Sequence, residues 1–484
     1  MTVKFVIAAL ILLVAGTGLY HVWKPLPEGI GYRGSEVPLR DARLLTDVTV
    51  HNGDGSTRLD HAIFDEVLRQ IANAERFILV DMFLFNDSKP EGATGYRPLA
   101  RQLTEALIQR RQTVPDIRIV VISDPINTFY GGTRSPWFEA LKEAGITVVE
   151  TNLSKLRDSN PTWSALWRVC CRWLGNSADS GWLPNALQGN PVTLRSYLAL
   201  PNFKANHRKL LVSDAGDDIR GLVTSANPHD GSSRHSNIGL SFSGLAVADL
   251  LESEQAVLAL SGAGLPYLDG IIAEIRREAA NGAMPAPAGT IQVVTEAAIL
   301  ASALGIIESA SSGDRIDLAV FYLSHRRIVR ALVDAHNRGA LIRMLLDANN
   351  DAFGRDKNGI PNRQVAMELN GAGIPVRWCN TRGEQCHSKL LIRQSSAGAA
   401  DVLLGSANFT RRNLDNLNLE TNVHLRTSAV SVVARQAIDF FETHWQQGPG
   451  SVPVMSLPYE AWADESRLKY WQYRLMEASG MSTF

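Results

Sequence analysis

Charge of one sign is missing from this chain: 48 lysines and arginines meet 49 aspartates and glutamates, a formal net charge of −1 over 484 residues. That balance argues against a surface built to coat nucleic acid, while leaving room for a local basic groove. Cysteine is scarce, with four residues, and no pair of them has the spacing of a zinc site. Long apolar runs are scarce too. The one present is FVIAALILLVAGTGLYHVW, residues 5–23, between Lys4 and Lys24. At 1.5 Å per residue it reaches roughly 28 Å, against a bilayer core of about 30 Å. His21 and Trp23 suit the interface beyond it. Two readings stay open: an uncleaved anchor, favoured by a run longer than most signal cores, and a signal cut near Ala15, Gly16 and Thr17. A single N-terminal span puts the body outside the cytoplasm; cleavage makes it a secreted protein.

With 45% apolar and 20% charged residues, the remainder is globular, and its length exceeds one typical core. We expect the span at 1–24, a first lobe at 25–285 and a second at 286–484, the boundary marked by the Ala, Pro and Gly of residues 281–290. Cys379 and Cys386 flank a short loop and Cys170 and Cys171 are adjacent, so small disulfides and buried thiols both remain open.

The halves repeat each other. An amphipathic helix and an alternating strand at 61–86 correspond to 298–325, and the next helix and strand, 98–127, to 326–350. These end in Asp124 and Asp347, followed by Tyr130-Gly131 and Phe353-Gly354. A third pair is 137–152 with 364–380. Each repeat then reaches a His and a Lys two apart at the head of an apolar strand: His207 and Lys209 in NHRKLLVSD, His387 and Lys389 in CHSKLLIRQ. Alternation puts each such pair on one face. A second strand follows in each, ending in Ser225 and Asn227 or in Ser406 and Asn408. An imidazole beside an ammonium calls for an anion, and two copies imply one shared site.

These motifs resemble the phospholipase D superfamily, whose signature is H-x-K-x4-D followed by a strand ending in G-S-x-N, present twice. The first copy matches through Asp214; the second has Gln394 at that place. The resemblance implies an α/β fold of two duplicated α-β-α sandwich lobes behind the N-terminal transmembrane helix. It also implies a cofactor-free and metal-free phosphodiesterase or phosphatidyltransferase that works through a phosphohistidine. Lys209 and Lys389 supply positive charge, and Ser225, Asn227, Ser406 and Asn408 supply neutral donors to the phosphoryl oxygens. One imidazole attacks phosphorus and the other protonates the leaving oxygen. Family habit makes His207 the nucleophile and His387 the acid and base.

An acid behind an attacking imidazole keeps its far nitrogen protonated. Glu420 lies 33 residues after His387, where the family places such an acid, and is expected to serve that histidine. The aligned place in the first half is Gly239, with Ser236 and Asn237 nearby, so His207 is expected to lack a carboxylate; Asp214 is either catalytic or a structural acceptor. Around the site, His229, Arg234, His235, Arg411, Arg412, Tyr322 and His325 are candidates to touch a head group.

The first half carries about 43 extra residues near 154–197, in which Trp163, Trp167, Cys170, Trp173 and Leu174 recur at helical spacing around Arg168 and Arg172. That helix either lies in a membrane interface, walls an acyl-chain cleft, or covers the lobe's own core. The expected function is therefore cardiolipin synthase-like, a monomer acting on a phospholipid with water or an alcohol as acceptor. A nuclease of the same superfamily and an inactive scaffold are the alternatives. From 430 onward we expect one helix and then an irregular tail.

Overall fold

A computed structural model describes residues 2–484 apart from 53, 91, 93, 186–188, 217, 282–288, 353–354, 447–452 and 483. The Phe353-Gly354 correspondence and most of the 281–290 boundary lie outside the described residues. The fold is a mixed α/β structure with two large sheets. The first contains β2 (Arg40–His51), β3 (Thr57–His61), β4 (Phe77–Met82), β5 (Arg118–Ser123), β6 (Thr147–Glu150), β7 (Lys209–Ala215), β8 (Asp218–Thr224) and β9 (Asn237–Ser243), in the order β3-β2-β9-β8-β7-β4-β5-β6. The second contains β10 (Gly289–Thr295), β11 (Arg315–Val320), β12 (Leu341–Leu346), β15 (Val376–Cys379), β16 (Lys389–Gln394), β17 (Ala399–Gly405), β18 (Thr421–Ser428) and β19 (Ser456–Pro458). Its order is β1-β10-β18-β17-β16-β11-β12-β15-β19, with β1 (Val37–Pro38) reaching over from the N-terminal half. A two-residue hairpin, β13 (Asp351–Ala352) and β14 (Arg355–Asp356), stands apart.

The repeat seen in the sequence is a repeat of topology. β4, β5 and β6 run parallel, and β4 meets β7 antiparallel. The same holds for β11, β12, β15 and β16. The strand expected to alternate within 61–86 is corrected: central strands such as FILVDM in β4 are buried along their whole length, because they are covered on both faces. Alternation then sorts them into layers. Leu211 and Leu222 face a core closed by the helices Ile63–Asn73, Leu99–Thr113 and Pro136–Glu143. Leu210 and Val212 face a core shared with Leu390, Ile392, Val402 and Leu404 of the other sheet and with the helix Leu245–Leu260. Leu391 and Leu403 face the outer helices Ala297–Glu308, Arg326–Asn337 and Asn362–Gly371. Each lobe is thus an α-β-α sandwich, and the antiparallel strands after the His-Lys motifs meet across the middle. Truncating a side chain such as Leu211 to Ala in so closed a layer costs about 2–5 kcal/mol.

The first helix, α1 (Thr2–Trp23), holds the one described segment long and apolar enough to cross a membrane, Val3–Trp23. It stands out from the body: its first turns are exposed, and only its last turns pack, where Gly18 lies against Ala165 and Pro161 of a second helix, α2 (Pro161–Cys170). This α2 is the expected Trp-rich helix, but shorter. It stops at Cys170 because Cys170 and Cys171 are joined as a disulfide, and neighbouring side chains on a helix diverge by about 100°. Trp173 and Leu174 therefore leave the helical stripe and sit exposed beyond it. Cys379 and Cys386 are also disulfide-bonded. The expectation of an irregular tail is corrected: Arg467–Ser479 is a helix, begun by the Ser466 cap and ended by Gly480 at φ 77°. A Ser before and a Gly after are the ordinary boundary signals.

Candidate active site

Each histidine lies just before its strand, on backbone held by the opposite lobe. The His207 N–H donates to Leu419 O (2.9 Å), and Leu419 N–H donates back to Ala205 O. In the other half, His387 N–H donates to Ser236 O (2.8 Å) and Ser236 N–H to Gln385 O. One residue further on, these crossing segments deliver Glu420 and Asn237. The Glu420 carboxylate therefore accepts from His207 Nδ1, at 3.0 Å to Oε2, and not from His387. His387 Nδ1 instead donates to Asn237 Oδ1 at 3.0 Å. Two expectations are corrected here: the acid serves the histidine of the other lobe, and its counterpart in the first half is Asn237 rather than Gly239. Counting along one chain could not reveal this, because the pairing is made between strands that neither motif contains.

The serines complete these pairs. Ser225 Oγ donates to Asn237 Oδ1 (3.0 Å) and accepts from Ile238 N; Ser406 Oγ donates to Glu420 and accepts from Thr421 N. Both serines are fully buried behind the residue that orients each imidazole. Asn413 also donates to Glu420. Behind Glu420, its N–H donates to Glu296 Oε1 (3.0 Å), which also accepts from Arg208 (2.9 Å), the neighbour of His207. Fully buried Arg208 further pairs with Glu254.

Two aspartates act symmetrically from the ends of the parallel strands. Asp124 accepts from Asn206 N (2.7 Å) and Asp347 from Cys386 N (2.8 Å), the residues just before each histidine. Burial pushes the Asp124 carboxyl up to about 7 and that of Asp347 up to about 6. The sequence marked both as strand ends without revealing this task.

His207, His387, Asn227 and Asn408 line one cavity of about 240 Å³, with Phe83, Tyr130, Phe203, Phe321, Tyr322, His235, Lys357, Arg412 and Phe484 among its walls. The ammonium of Lys209 donates to His207 O (2.7 Å) above the Phe83 ring, and that of Lys389 to His387 O (2.7 Å) above the Phe321 ring. Burial first, with the other cations second, drives the Lys389 ammonium and the His387 imidazolium well below their ordinary values. Burial also lowers Lys209 to about 7 and, against the pull of Glu420, His207 to about 4. For Glu420, burial pushes upward, but His207, Lys209 and Ser406 together hold the carboxyl below its usual range. The cavity is walled by two imidazoles, Lys204, Lys357, Arg412 and the carboxylate of Asp124, with Lys209 and Lys389 fully buried behind the histidines rather than on its wall, and this surplus of cations suits an oxyanion.

Asp214 is not brought to this cavity. From the far end of β7 it accepts the backbone N–H groups of Glu75, Arg76 and Phe77, each at 2.9 Å, and so ties β7 to the start of β4. The second lobe makes the same tie from the opposite strand: Asp314, before β11, accepts from Ser396 N (2.9 Å) beyond β16. Gln394 at the aligned place therefore removes no function from the cleft. Among the other candidates, His235, Tyr322 and Arg412 line the cavity. His229 bonds Ser232 Oγ, Arg234 covers the Tyr96 ring, His325 pairs with Asp415 and Arg411 reaches Glu477. Among the described residues no group of His, Cys, Asp or Glu is arranged to hold a metal ion.

Residues 304–445 match the family model described as cardiolipin synthase, PLD-like domain. No curated protein matches the chain. Among solved structures, phosphatidylserine synthase of Haemophilus influenzae is similar over 96% of this chain and 98% of its own, with 10% identity and a TM-score of 0.52. Polyphosphate kinase of Porphyromonas gingivalis is similar over 91% of this chain, which spans 53% of that protein, with 13% identity and a TM-score of 0.45. The phospholipase D family member Nuc of Salmonella typhimurium covers 33% of this chain with 96% of its own, at 23% identity and a TM-score of 0.28. A family model lying on the second His-Lys motif and two histidines on one cavity agree: the second half carries a phospholipase D-like domain, in a duplicated sandwich whose fold is similar to that of the synthase.

Proposed function

We propose that this enzyme cleaves or transfers the phosphatidyl group of a membrane phospholipid, in the manner of a cardiolipin synthase, with His207 as nucleophile and His387 as general acid and base. The observation that carries the reading is the exchange of partners, in which His207 has a carboxylate behind it and His387 a carboxamide. In the first step Nε2 of His207 forms a bond to phosphorus and the bond from phosphorus to the leaving oxygen breaks, that oxygen taking the proton of His387. In the second, water or an alcohol gives its proton to His387, its oxygen bonds phosphorus, and the bond to His207 breaks. Glu420 accepts the Nδ1 hydrogen of His207 throughout and offsets the positive charge that grows on that ring. Asn237 offers no such charge, so the protonated ring of His387 is the stronger acid, which suits a donor.

Lys209 and Lys389 neutralise the phosphoryl oxygens, with Asn227 and Asn408 beside them; Ser225 and Ser406 act behind the imidazoles. Asp214 holds β7. The lobes meet at this cavity, with 25–285 and 286–484 as their natural bounds, and α1 keeps the body at a bilayer on its non-cytoplasmic side. The apolar wall of the cavity, Phe83, Phe203, Phe321 and Phe484, suits the glycerol and acyl part of a lipid. The test is to incubate the full chain with phosphatidylglycerol, with phosphatidylcholine plus ethanol, and with single-stranded DNA, adding EDTA throughout. Formation of cardiolipin or phosphatidylethanol, abolished in His207→Ala and His387→Ala, is expected. Nucleotide release without lipid products would replace this reading by a nuclease, and silence in all three would leave a scaffold.

A further inference from the structure

A second cavity, of about 390 Å³, adjoins the reacting one and shares Tyr130 and Lys204 with it. Its walls include Arg168, Arg172, Arg195 and Lys204 against one lining carboxylate, Glu150, whose Oε2 already accepts from Thr128 Oγ. Arg168 and Lys204 share a single buried partner, Asp158, at 2.8 and 2.5 Å. Arg172 and Arg195 have no carboxylate partner among the described residues. The guanidinium of Arg195 lies 4.0 Å over the Trp167 ring and donates to Leu174 O, and that of Arg172 lies 4.4 Å over the Trp173 ring. Each thus lies over an indole ring, with hydrogen-bond capacity to spare. Behind these residues Arg157 donates to Lys24 O, and burial, with Arg168 next, lowers the Lys24 ammonium to about 8. A pocket with this surplus of fixed positive charge is built for an anion, and guanidinium geometry favours phosphate.

Where the cavity sits decides which phosphate. It is walled by α2, the helix that packs on the last turns of α1, and the Asp158 N–H donates to His21 O of α1. Around it, Leu166, Trp173 and Leu174 are 45%, 72% and 61% exposed, and Trp23 at the end of α1 is 72% exposed. Exposed indoles beside basic groups, one turn from the end of an apolar span, mark the head-group layer.

We propose that this cavity is a second lipid site, in which Arg172, Arg195 and Arg168 hold the phosphate of an anionic phospholipid next to the reacting cleft. The proposal rests on the reading that α1 lies in a bilayer, and it leaves the chemistry at His207 and His387 untouched. A lipid held there lies one wall, Tyr130 and Lys204, from the cleft, so the site selects which lipid stands beside the reacting one.

The test uses the full chain carrying His387→Ala, to stop consumption of lipid, in nanodiscs of phosphatidylcholine with a minority of phosphatidylglycerol, and counts retained lipid by native mass spectrometry. Retention of phosphatidylglycerol in preference to phosphatidylcholine is expected. The preference should fall about tenfold when Arg172→Gln and Arg195→Gln are combined, the worth of losing charged contacts of this kind. Arg172→Lys with Arg195→Lys should keep most of it, which separates loss of charge from misfolding, and Arg435→Gln, on the helix Val432–Trp445, should change nothing. Equal retention of both lipids, or a preference indifferent to Arg172 and Arg195, would overturn the proposal. So would displacement by millimolar inorganic phosphate with no lipid retained, which would make this a soluble-phosphate site. Turnover is measured separately on the chain with His387 intact: loss of retention with normal turnover sinks only this site, and retention without turnover sinks only the enzymatic reading.

Discussion

Replacing Glu420 by Gln keeps the shape behind His207 and removes the charge. In the folded protein the carboxylate accepts from His207 Nδ1, Ser406 Oγ and Asn413 Nδ2, and it is fully buried. A hydrogen bond to a charged group contributes about 1.5–3 kcal/mol against about 0.5–1.5 for a neutral one. The developing positive charge on the attacking imidazole should therefore lose about 1.3 kcal/mol of stabilisation, and about 2.5 at most, so kcat/KM should fall roughly tenfold, and about 70-fold at most, at 1.36 kcal/mol per decade. The amide also turns an N–H group toward Ser406 or Asn413, so the melting temperature should fall as well, and the assay is run well below it. Asn237→Ala removes a neutral acceptor from His387 and should cost less in kcat/KM, with the larger loss on substrates that have poor leaving groups. If Glu420→Gln stayed within threefold of the parent while Asn237→Ala lost two decades, the roles of the two histidines would be reversed.

Burial holds the Lys209 ammonium down to about 7, and an anion needs its charged form. Anion binding therefore takes up a proton: affinity for sulfate, whose charge is constant here, should be greatest below pH 7 and fall up to about tenfold per pH unit above it. A flat titration by calorimetry from pH 6 to 9 would contradict this. Asp214→Asn loses a charged acceptor of three backbone N–H groups far from the cleft, so stability should drop by about 2–4 kcal/mol in urea unfolding while kcat/KM stays within threefold of the parent. Opening the Cys379–Cys386 disulfide frees a short loop that enters His387; Cys379→Ser with Cys386→Ser should lower stability by about 2.5 kcal/mol on loop-closure entropy. An unchanged denaturation midpoint would show that the loop is held by other contacts.

The paired helices and strands of both halves were legible in the sequence because central strands are apolar throughout and the covering helices are amphipathic. The His-Lys and Ser-x-Asn motifs were legible because each is local. What the sequence withheld lies in contacts between segments. Glu420 and Asn237 exchange lobes through the bridges at Leu419 and Ser236, and no spacing within one half encodes that crossing. Gln394 stands where the first motif has Asp214, and the equivalent tie comes from Asp314 before the neighbouring strand, a residue outside the motif. The shortened Trp-rich helix follows from a bond between adjacent cysteines, which residue periodicity does not register. The helix Arg467–Ser479 had its Ser cap and Gly stop in plain view; its Leu468, Trp471 and Leu475 are exposed, so no buried stripe announced it.

The most direct measurement is to map the covalent intermediate. With an aryl phosphodiester whose leaving group needs no proton, His387→Ala should still form the adduct, and rapid acid-free quenching followed by peptide mass spectrometry should find phosphorus on the peptide bearing His207. His207→Ala should form none. An adduct on His387 in the His207→Ala chain, or none in either, would contradict the account.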